Sequence, residues 1–132
     1  DLVKSMGGPQ APAIGWALGV DRVAMLLKDK PAPDTAPKTF IVAASKEAVD
    51  KAFALLTSMR AAGISSDFSS FDLSLKSQMR SADKSGAAFA LIIGEDELKA
   101  GACAVKPLKE KGEQRTVPLA EAPSALKQLL KG

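Results

Sequence analysis

Residues 87–94 read AAFALIIG, an apolar run of seven residues that is closed by a glycine. A continuous run of this length is typical of a strand that is buried on both faces, as strands are in parallel sheets. We therefore expect residues 87–93 to form the central strand of a parallel sheet that is covered on both faces.

Four other segments have the pattern of strands. Residues 39–44 are a short apolar run with β-branched side chains, which predicts a second buried strand. Residues 64–70 are short and polar and suit an edge strand, where exposure is tolerated. Residues 102–108 and 115–119 predict two more strands, and the charged stretch 109–113 between them predicts a hairpin connection.

Three segments have the pattern of helices. The first follows Ser45, a good capping residue, and is expected to stop at Gly63. The second is capped by Ser74 and ended by Gly86, and the third covers residues 123–130 with a proline in its first turn. The side chains expected to face inward are Val49, Ala52, Phe53, Leu56 and Met59 on the first helix and Leu75, Met79 and Ala82 on the second.

The order β-α-β-α-β-β-β-α predicts an α/β fold, a three-layer sandwich around a five-stranded mixed sheet. Right-handed crossovers would place the helices on its two faces. Residues 94–101 are expected to form a turn with an acidic cluster. Residues 28–37 hold three prolines and predict an extended linker. The preceding residues 1–27 are too few for a core of their own, so we expect them to be the edge of a larger domain.

The 132 residues carry a formal net charge of +3, contain no histidine and include a single cysteine, Cys103. The mild positive charge is compatible with a polyanionic partner. The lack of histidine excludes a Ser-His-Asp triad and a histidine-based metal site, and one cysteine excludes a four-cysteine zinc site. Any chemistry must therefore come from positioning and charge stabilisation, or from residues on another segment. The lone cysteine fits a reducing compartment, and we expect a cytoplasmic location.

Residues 15–27 read GWALGVDRVAMLL and hold the strongest local signal for a ligand site. Gly15 and Gly19 lie four residues apart, where a backbone without Cβ could lie flat against a planar ligand. Arg22 falls where an apolar helix begins, and both a guanidinium and a helix N-terminus favour phosphate. The alternative is a buried strand and helix whose glycines relieve packing and whose arginine is a surface charge.

Together with the residues before it, this stretch resembles motif 3 of class II aminoacyl-tRNA synthetases, in the form found in histidyl-tRNA synthetases. The matching residues are Gly7-Gly8-Pro9, Pro12-Ala13-Ile14-Gly15, Trp16, Ala17-Leu18-Gly19 and Asp21-Arg22. The resemblance implies a strand followed by a helix, with Arg22 as a catalytic residue that contacts the triphosphate of ATP. It also implies that Gly15 and Gly19 line the adenine pocket. Residues 1–27 would then be a C-terminal remnant of a catalytic domain whose motifs 1 and 2 are missing.

Residues 38–132 resemble the anticodon-binding domain that histidyl, prolyl, threonyl and glycyl synthetases share. The order of elements carries this resemblance, together with residues 92–98 (IIGEDEL), residues 105–108 (VKPL) and Gln114. It implies that Glu97 and Lys106 contact anticodon bases, with Gln114 as a third candidate.

The types and positions of these residues suit that role. Glu97 follows the central strand, in the crevice where open α/β sheets bind ligands, and a carboxylate accepts hydrogen bonds from amino groups of unstacked bases. Lys106, on the neighbouring strand, could meet base oxygens or phosphates. The alternative is a solvated loop charge and a lysine that extends along the strand to solvent. Pro107 departs from the Lys-Asp-Leu of many family members, so the strand either has no need of that backbone donor or is broken there.

Lys76, Arg80 and Lys84 recur every four residues on the second predicted helix. This basic stripe could contact phosphates of the anticodon stem, or it could be the ordinary solvent face of the helix. Phe68 and Phe71 are candidate platforms for base stacking, and core packing is the alternative use.

Three functions are open on this basis. The first is the C-terminal region of a histidine–tRNA ligase, whose full-length form uses ATP and Mg²⁺ to activate histidine, charges histidine tRNA and is expected to be a homodimer. This chain alone would be inactive. In place of the histidine enzyme, another class II synthetase, specific for glycine, proline or threonine, is also open. The second is a non-catalytic relative, such as a module of a regulatory kinase or a polymerase accessory subunit. The third is an α/β interaction domain that binds no nucleic acid.

Overall fold

In the computed structural model, residues 2–12, 14–28, 30, 34–109 and 112–131 are described. The chain divides into two compact units, Asp1–Asp34 and Thr35–Gly132.

The first unit contains two helices, α1 (Leu2–Ser5) and α2 (Val20–Leu27). The predicted helix is therefore present, and it begins a few residues earlier than expected. The strand expected before it is not formed, because residues 14–19 have no partner strand among the described residues of this unit and a strand needs one to complete its hydrogen bonds. No residue of either helix is buried, and Ile14 and Trp16 are exposed.

The second unit is built on five strands: β1 (Thr39–Ala43), β2 (Ser66–Phe68), β3 (Phe89–Ile93), β4 (Ala102–Pro107) and β5 (Arg115–Pro118). Their order in the sheet is β2-β1-β3-β4-β5. Strand β1 pairs in parallel with β2 and β3, whereas β4 is antiparallel to β3 and β5. The predicted central strand, edge strand and mixed five-stranded sheet are confirmed, although the central strand has one parallel and one antiparallel neighbour.

Four helices complete this unit: α3 (Val49–Ala61), α4 (Leu75–Ser85), α5 (Glu95–Ala100) and α6 (Ala122–Leu129). Two apolar clusters lie on opposite faces of the sheet, because consecutive residues of a strand point to opposite sides. Ile41 and Leu91 pack with residues of α3 and α6 on one face, and Phe40 and Val42 pack with Ala82 of α4 on the other. The three-layer sandwich is therefore confirmed.

The helix ends follow the sequence signals in part. The Oγ of Ser74 accepts a hydrogen bond from the backbone N of Ser77 at 3.3 Å, so Ser74 caps α4 as predicted. Gly63 and Gly86 have φ of +79° and +75°, left-handed conformations that suit glycine after a helix. Ser45 does not cap α3, because that helix begins at Val49 and its cap position is Ala48.

Two side chains predicted to be inside are exposed. Phe53 is 55% exposed and Leu75 is 44% exposed, because the buried faces of their helices turn away from these positions. On α3 the buried residues include Leu55 in addition to the predicted Ala52, Leu56 and Met59.

The buried residue Gln78 on α4 was not predicted either. Its Oε1 accepts a hydrogen bond from the backbone N of Ala43 at 3.1 Å, and its Nε2 donates to the carbonyl oxygens of Ala43 and Leu73, both at 2.8 Å. A polar side chain is tolerated in the core when its hydrogen bonds are satisfied in this way.

The acidic segment after β3 is a helix rather than the predicted turn. Helix α5 covers Glu95–Ala100 between two glycines, and Gly101 ends it with φ of +63°. Acidic side chains in the first turn are favourable beside the positive end of the helix dipole, which explains why this short acidic segment is helical.

Candidate nucleic-acid interface

Glu97 is the third residue of α5, at the point where the chain leaves the central strand. Its Oε2 accepts a hydrogen bond from the backbone N of Gly94 at 3.0 Å, which caps the start of the helix. A Cβ at position 94 would lie 2.9 Å from that oxygen, so any larger residue there would displace the carboxylate. The side chain is half-buried. One carboxylate oxygen thus has a structural role, which the sequence did not indicate, and this hydrogen bond does not involve Oε1.

The site around Glu97 lies where the order of the sheet reverses. From β1 the chain crosses to β2 on one side, and from β2 it crosses to β3 on the other. The carboxyl ends of β1 and β3 are adjacent, because the backbone N of Ala44 donates to the carbonyl oxygen of Ile93 at 2.8 Å. Open α/β sheets bind ligands in the crevice at such a point.

Cys103 lies on β4, close enough to Glu97 for that charge to affect the pKa of its thiol. Burial, and to a smaller extent the negative charge of Glu97, raise the pKa of the Cys103 thiol to about 11. The thiol therefore stays protonated near neutral pH, and a protonated buried thiol is not a reactive nucleophile.

Lys106 lies near the far end of β4, opposite Ala90, and its side chain is exposed. The strand is not broken at Pro107, the residue paired with Phe89. The backbone N of Leu108 donates to Ala88 at 2.9 Å, so the missing donor of Pro107 would have pointed away from β3. On that side β5 pairs only as far as Val105, so no ladder hydrogen bond is lost.

The structure does not bring Glu97 and Lys106 into one contact. Lys106 is four residues beyond Ala102, the first residue of β4, which corresponds to about 13 Å along the strand. Gln114 belongs with Lys106 instead. The last pair of β4 and β5 joins Val105 and Arg115, so their chain neighbours Lys106 and Gln114 both lie just beyond the end of that ladder.

The basic stripe of Lys76, Arg80 and Lys84 has all three side chains exposed, whereas Gln78 and Ala82 are buried on the other side of α4. Alternation along β4 turns Lys106 away from Cys103 and Val105, toward the face of the sheet on which α4 packs. Lys106 and the stripe therefore lie on the same side of the second unit.

The two phenylalanines proposed for base stacking belong to an aromatic cluster beside β2. The rings of Phe68 and Phe71 stack with centroids 5.0 Å apart, and Phe53 meets Phe68 edge-on at 6.2 Å. Phe68 and Phe71 are half-buried and pack against the core. Their observed contacts are those of the packing alternative.

The motif 3 candidates lie in the first unit and are all exposed. A Cβ on Gly15 would meet nothing within 4 Å, and one on Gly19 would be 3.8 Å from the Cδ of Arg22, an ordinary contact. Neither position therefore needs glycine for the described structure. No side chain caps the first turn of α2, in which Arg22 lies.

One group of residues was missed by sequence reasoning. Arg115 and Glu113 line a cavity of about 400 Å³ beside the end of β4 and the start of β5. The only signal in the sequence was the alternation of charges along the hairpin, which is also typical of a solvated turn.

Comparison with known proteins identifies the second unit. Residues 38–129 match the family described as "Anticodon binding domain". Histidine–tRNA ligase of Caldicellulosiruptor saccharolyticus is 42% identical over 117 residues, which are 86% of this chain and 28% of that protein.

Solved structures agree with this match. The histidyl-tRNA synthetase of Nostoc sp. PCC 7120 superposes with a TM-score of 0.66 and 28% identity, over 86% of this chain and 28% of that one. The apo enzyme of S. aureus gives a TM-score of 0.64 and 29% identity, over 82% of this chain and 28% of that one. The chain thus spans little more than a quarter of the relatives that it matches.

None of the helices in the described residues combines the length and apolarity needed to cross a membrane. The fold, the family match over most of the chain and the position of Glu97 lead to one conclusion. This chain belongs to the anticodon-binding-domain family.

Proposed function

We propose that this chain is the C-terminal region of a histidine–tRNA ligase and that residues 38–132 bind the anticodon of histidine tRNA. The observation that carries the proposal is the half-buried carboxylate of Glu97 in the crevice between the ends of β1 and β3. Similarity to a histidine–tRNA ligase at 42% identity supports histidine rather than glycine, proline or threonine as the amino acid.

Glu97 would read a base edge. Its hydrogen bond from Gly94 fixes the orientation of the carboxylate before RNA arrives, so that less conformational freedom is lost on binding. The remaining oxygen would accept a hydrogen bond from the amino group of an unstacked base.

Lys106 and Gln114 would contact a different nucleotide of the same loop, because they lie about 13 Å further along the sheet. The basic stripe on α4 would contact stem phosphates, which position the RNA without carrying sequence information. A loop that reaches both ends of β3 would account for the separation of these candidates.

In the longer protein, the first unit would contribute to the ATP site. Arg22 would bind the triphosphate and offset charge that develops during histidine activation, and Gly15 and Gly19 would leave room for the adenine ring. Their exposure and the open space at Gly15 fit this role. The described residues contain no group of three or more His, Cys, Asp or Glu side chains that could hold a metal ion. Mg²⁺ would therefore be held chiefly by the phosphates and by residues outside the described set.

The full-length ligase would act as a cytoplasmic homodimer, and this chain alone would not charge tRNA. The part of the relatives that it matches is only 28% of their length.

The test is a titration of the whole chain with the histidine tRNA stem-loop and with stem-loops of altered anticodon. Lys76→Ala should weaken the binding of every RNA about equally. It should also reduce the slope of log affinity against log salt concentration by about 1, as expected for one lost phosphate contact. Lys106→Ala should weaken the cognate stem-loop most. Lys51→Ala, at an exposed position on the opposite face of the second unit, is the matched control. It should change neither the RNA affinities nor their salt dependence. Equal, weak binding of all stem-loops by the wild-type chain would refute anticodon recognition.

A further inference from the structure

A cavity of about 400 Å³ opens at the end of the sheet where β3 begins and β4 ends. Its floor is apolar and includes Phe89, Val105 and Leu129, while Glu113 and Arg115 contribute charged groups to its wall. The volume falls within the range of about 300–1,000 Å³ that is usual for small-molecule sites. The cavity is far from Glu97, because the length of β3 separates the two.

A second cavity of about 350 Å³ adjoins the first, and the two share Ala88, Lys109 and Leu130 in their walls. Lys127 also lines it, and none of the described residues in its wall is acidic. A basic compartment beside one with an apolar floor is complementary to a ligand with a flat apolar part and an anionic part.

The charged pair of the first cavity narrows the choice of ligand. Guanine presents two acceptors, O6 and N7, that match the paired donors of a guanidinium, and its N1–H and amino group match a carboxylate. Adenine carries an amino group in place of O6 and has no N1–H, so it would satisfy only part of the pair. Phe89 adds an aromatic side chain against which a base could stack.

We propose that these two cavities bind one guanine nucleotide of single-stranded RNA. The base occupies the compartment of Phe89, Glu113 and Arg115, and the phosphate lies by Lys109 and Lys127. The identity of the RNA partner rests on the proposed function, whereas binding of the nucleotide itself does not.

The experiment follows the amide resonances of the whole chain during titration with GMP, AMP, CMP and UMP. We expect GMP to shift resonances of the cavity residues and the other three nucleotides to bind at least about tenfold more weakly. Arg115→Ala should abolish this preference, and Lys127→Ala should weaken all four nucleotides alike. Lys51→Ala, which removes an exposed basic side chain of α3 that lines neither cavity, should leave GMP binding unchanged. All three side chains are exposed, so the variants should keep the fold.

A second arm uses a single-stranded tetranucleotide with one guanine and the histidine tRNA stem-loop. Arg115→Ala should weaken the tetranucleotide as much as it weakens GMP. Equal shifts with all four mononucleotides, or none, would overturn the guanine site, and stem-loop binding that survives would leave the proposed function standing. Binding of GMP without the tetranucleotide would overturn RNA as the source of the ligand.

Discussion

Glu97 has two roles in this structure that different substitutions should separate. Glu97→Ala removes the hydrogen bond that Oε2 accepts from Gly94 and so uncaps the first turn of α5. Loss of a capping interaction costs about 0.5–2 kcal/mol. In a domain of roughly a hundred residues this corresponds to a fall in Tm of about 4–8 °C for each kcal/mol lost.

Glu97→Gln should keep most of this stability, because the amide oxygen can still accept the bond from Gly94. It should nevertheless change RNA recognition, since the carboxylate that would accept from a base becomes a group that also donates. Thermal unfolding followed by circular dichroism measures the first effect, and titration with cognate and altered stem-loops measures the second.

Glu95→Ala is the matched control, a carboxylate removed from the same turn of α5 at an exposed position. It should lower Tm by less than Glu97→Ala and leave discrimination among anticodons intact. A Glu97→Gln variant as unstable as Glu97→Ala would contradict the capping role, and one that discriminates among stem-loops as the wild type does would contradict the recognition role.

Gln78→Ala should lower the free energy of unfolding by about 3 kcal/mol or more, because it removes hydrogen bonds from buried backbone groups. Gln128→Ala, at an exposed site, is the control and should not lower it. Urea titrations of both variants measure the difference. Because burial raises the pKa of Cys103 to about 11, the protonated thiol contributes its full stability below pH 9, and this stability is lost as the pH rises through about 11. The Tm of the wild type should therefore fall over that range, and Cys103→Ala should flatten the fall. In the full-length ligase, Arg22→Ala should slow histidine activation by about 10²–10³-fold at unchanged Tm, measured by pyrophosphate exchange; a near-normal rate would make Arg22 a surface charge.

The strands were predictable because their signal is local. The apolar run at 87–93 has to be buried on both faces wherever it lies, so composition alone places it near the middle of the sheet. The short polar run at 64–70 could only be an edge strand, because polar side chains are tolerated where a strand is exposed. Gly63 and Gly86 marked helix ends, because the left-handed conformation that closes a helix is cheap only for glycine.

The features that escaped prediction depend on tertiary contacts. Glycines and acidic residues at 94–101 suggested a turn, yet the same carboxylates stabilise a helix once Glu97 reaches back to Gly94. The burial of Gln78 was not predicted, because nothing local indicates that the backbone of Ala43 lies beside it. The strand that the motif 3 resemblance implies before the helix needs a partner that the described residues of its unit do not supply.

Candidate site residues were found from residue type, but their grouping was not. Glu97 and Lys106 are nine residues apart in sequence, and the antiparallel return of β4 separates them along the sheet. The same return places both Lys106 and Gln114 next to the last pair of β4 and β5, Val105 and Arg115, and only the register shows this.

The amide of Gln78 has a consequence for how this sheet meets other molecules. Strand β2 pairs with β1 only as far as Ile41, so the edge of β1 at Ala43 would otherwise present an unpaired donor and acceptor. The side chain occupies both, like one peptide unit of a strand that is not there. An intruding chain finds no free backbone at this position to pair with, which protects a short-edged sheet against strand addition and aggregation. A single glutamine thus allows the edge strand to be only three residues long without leaving its neighbour open.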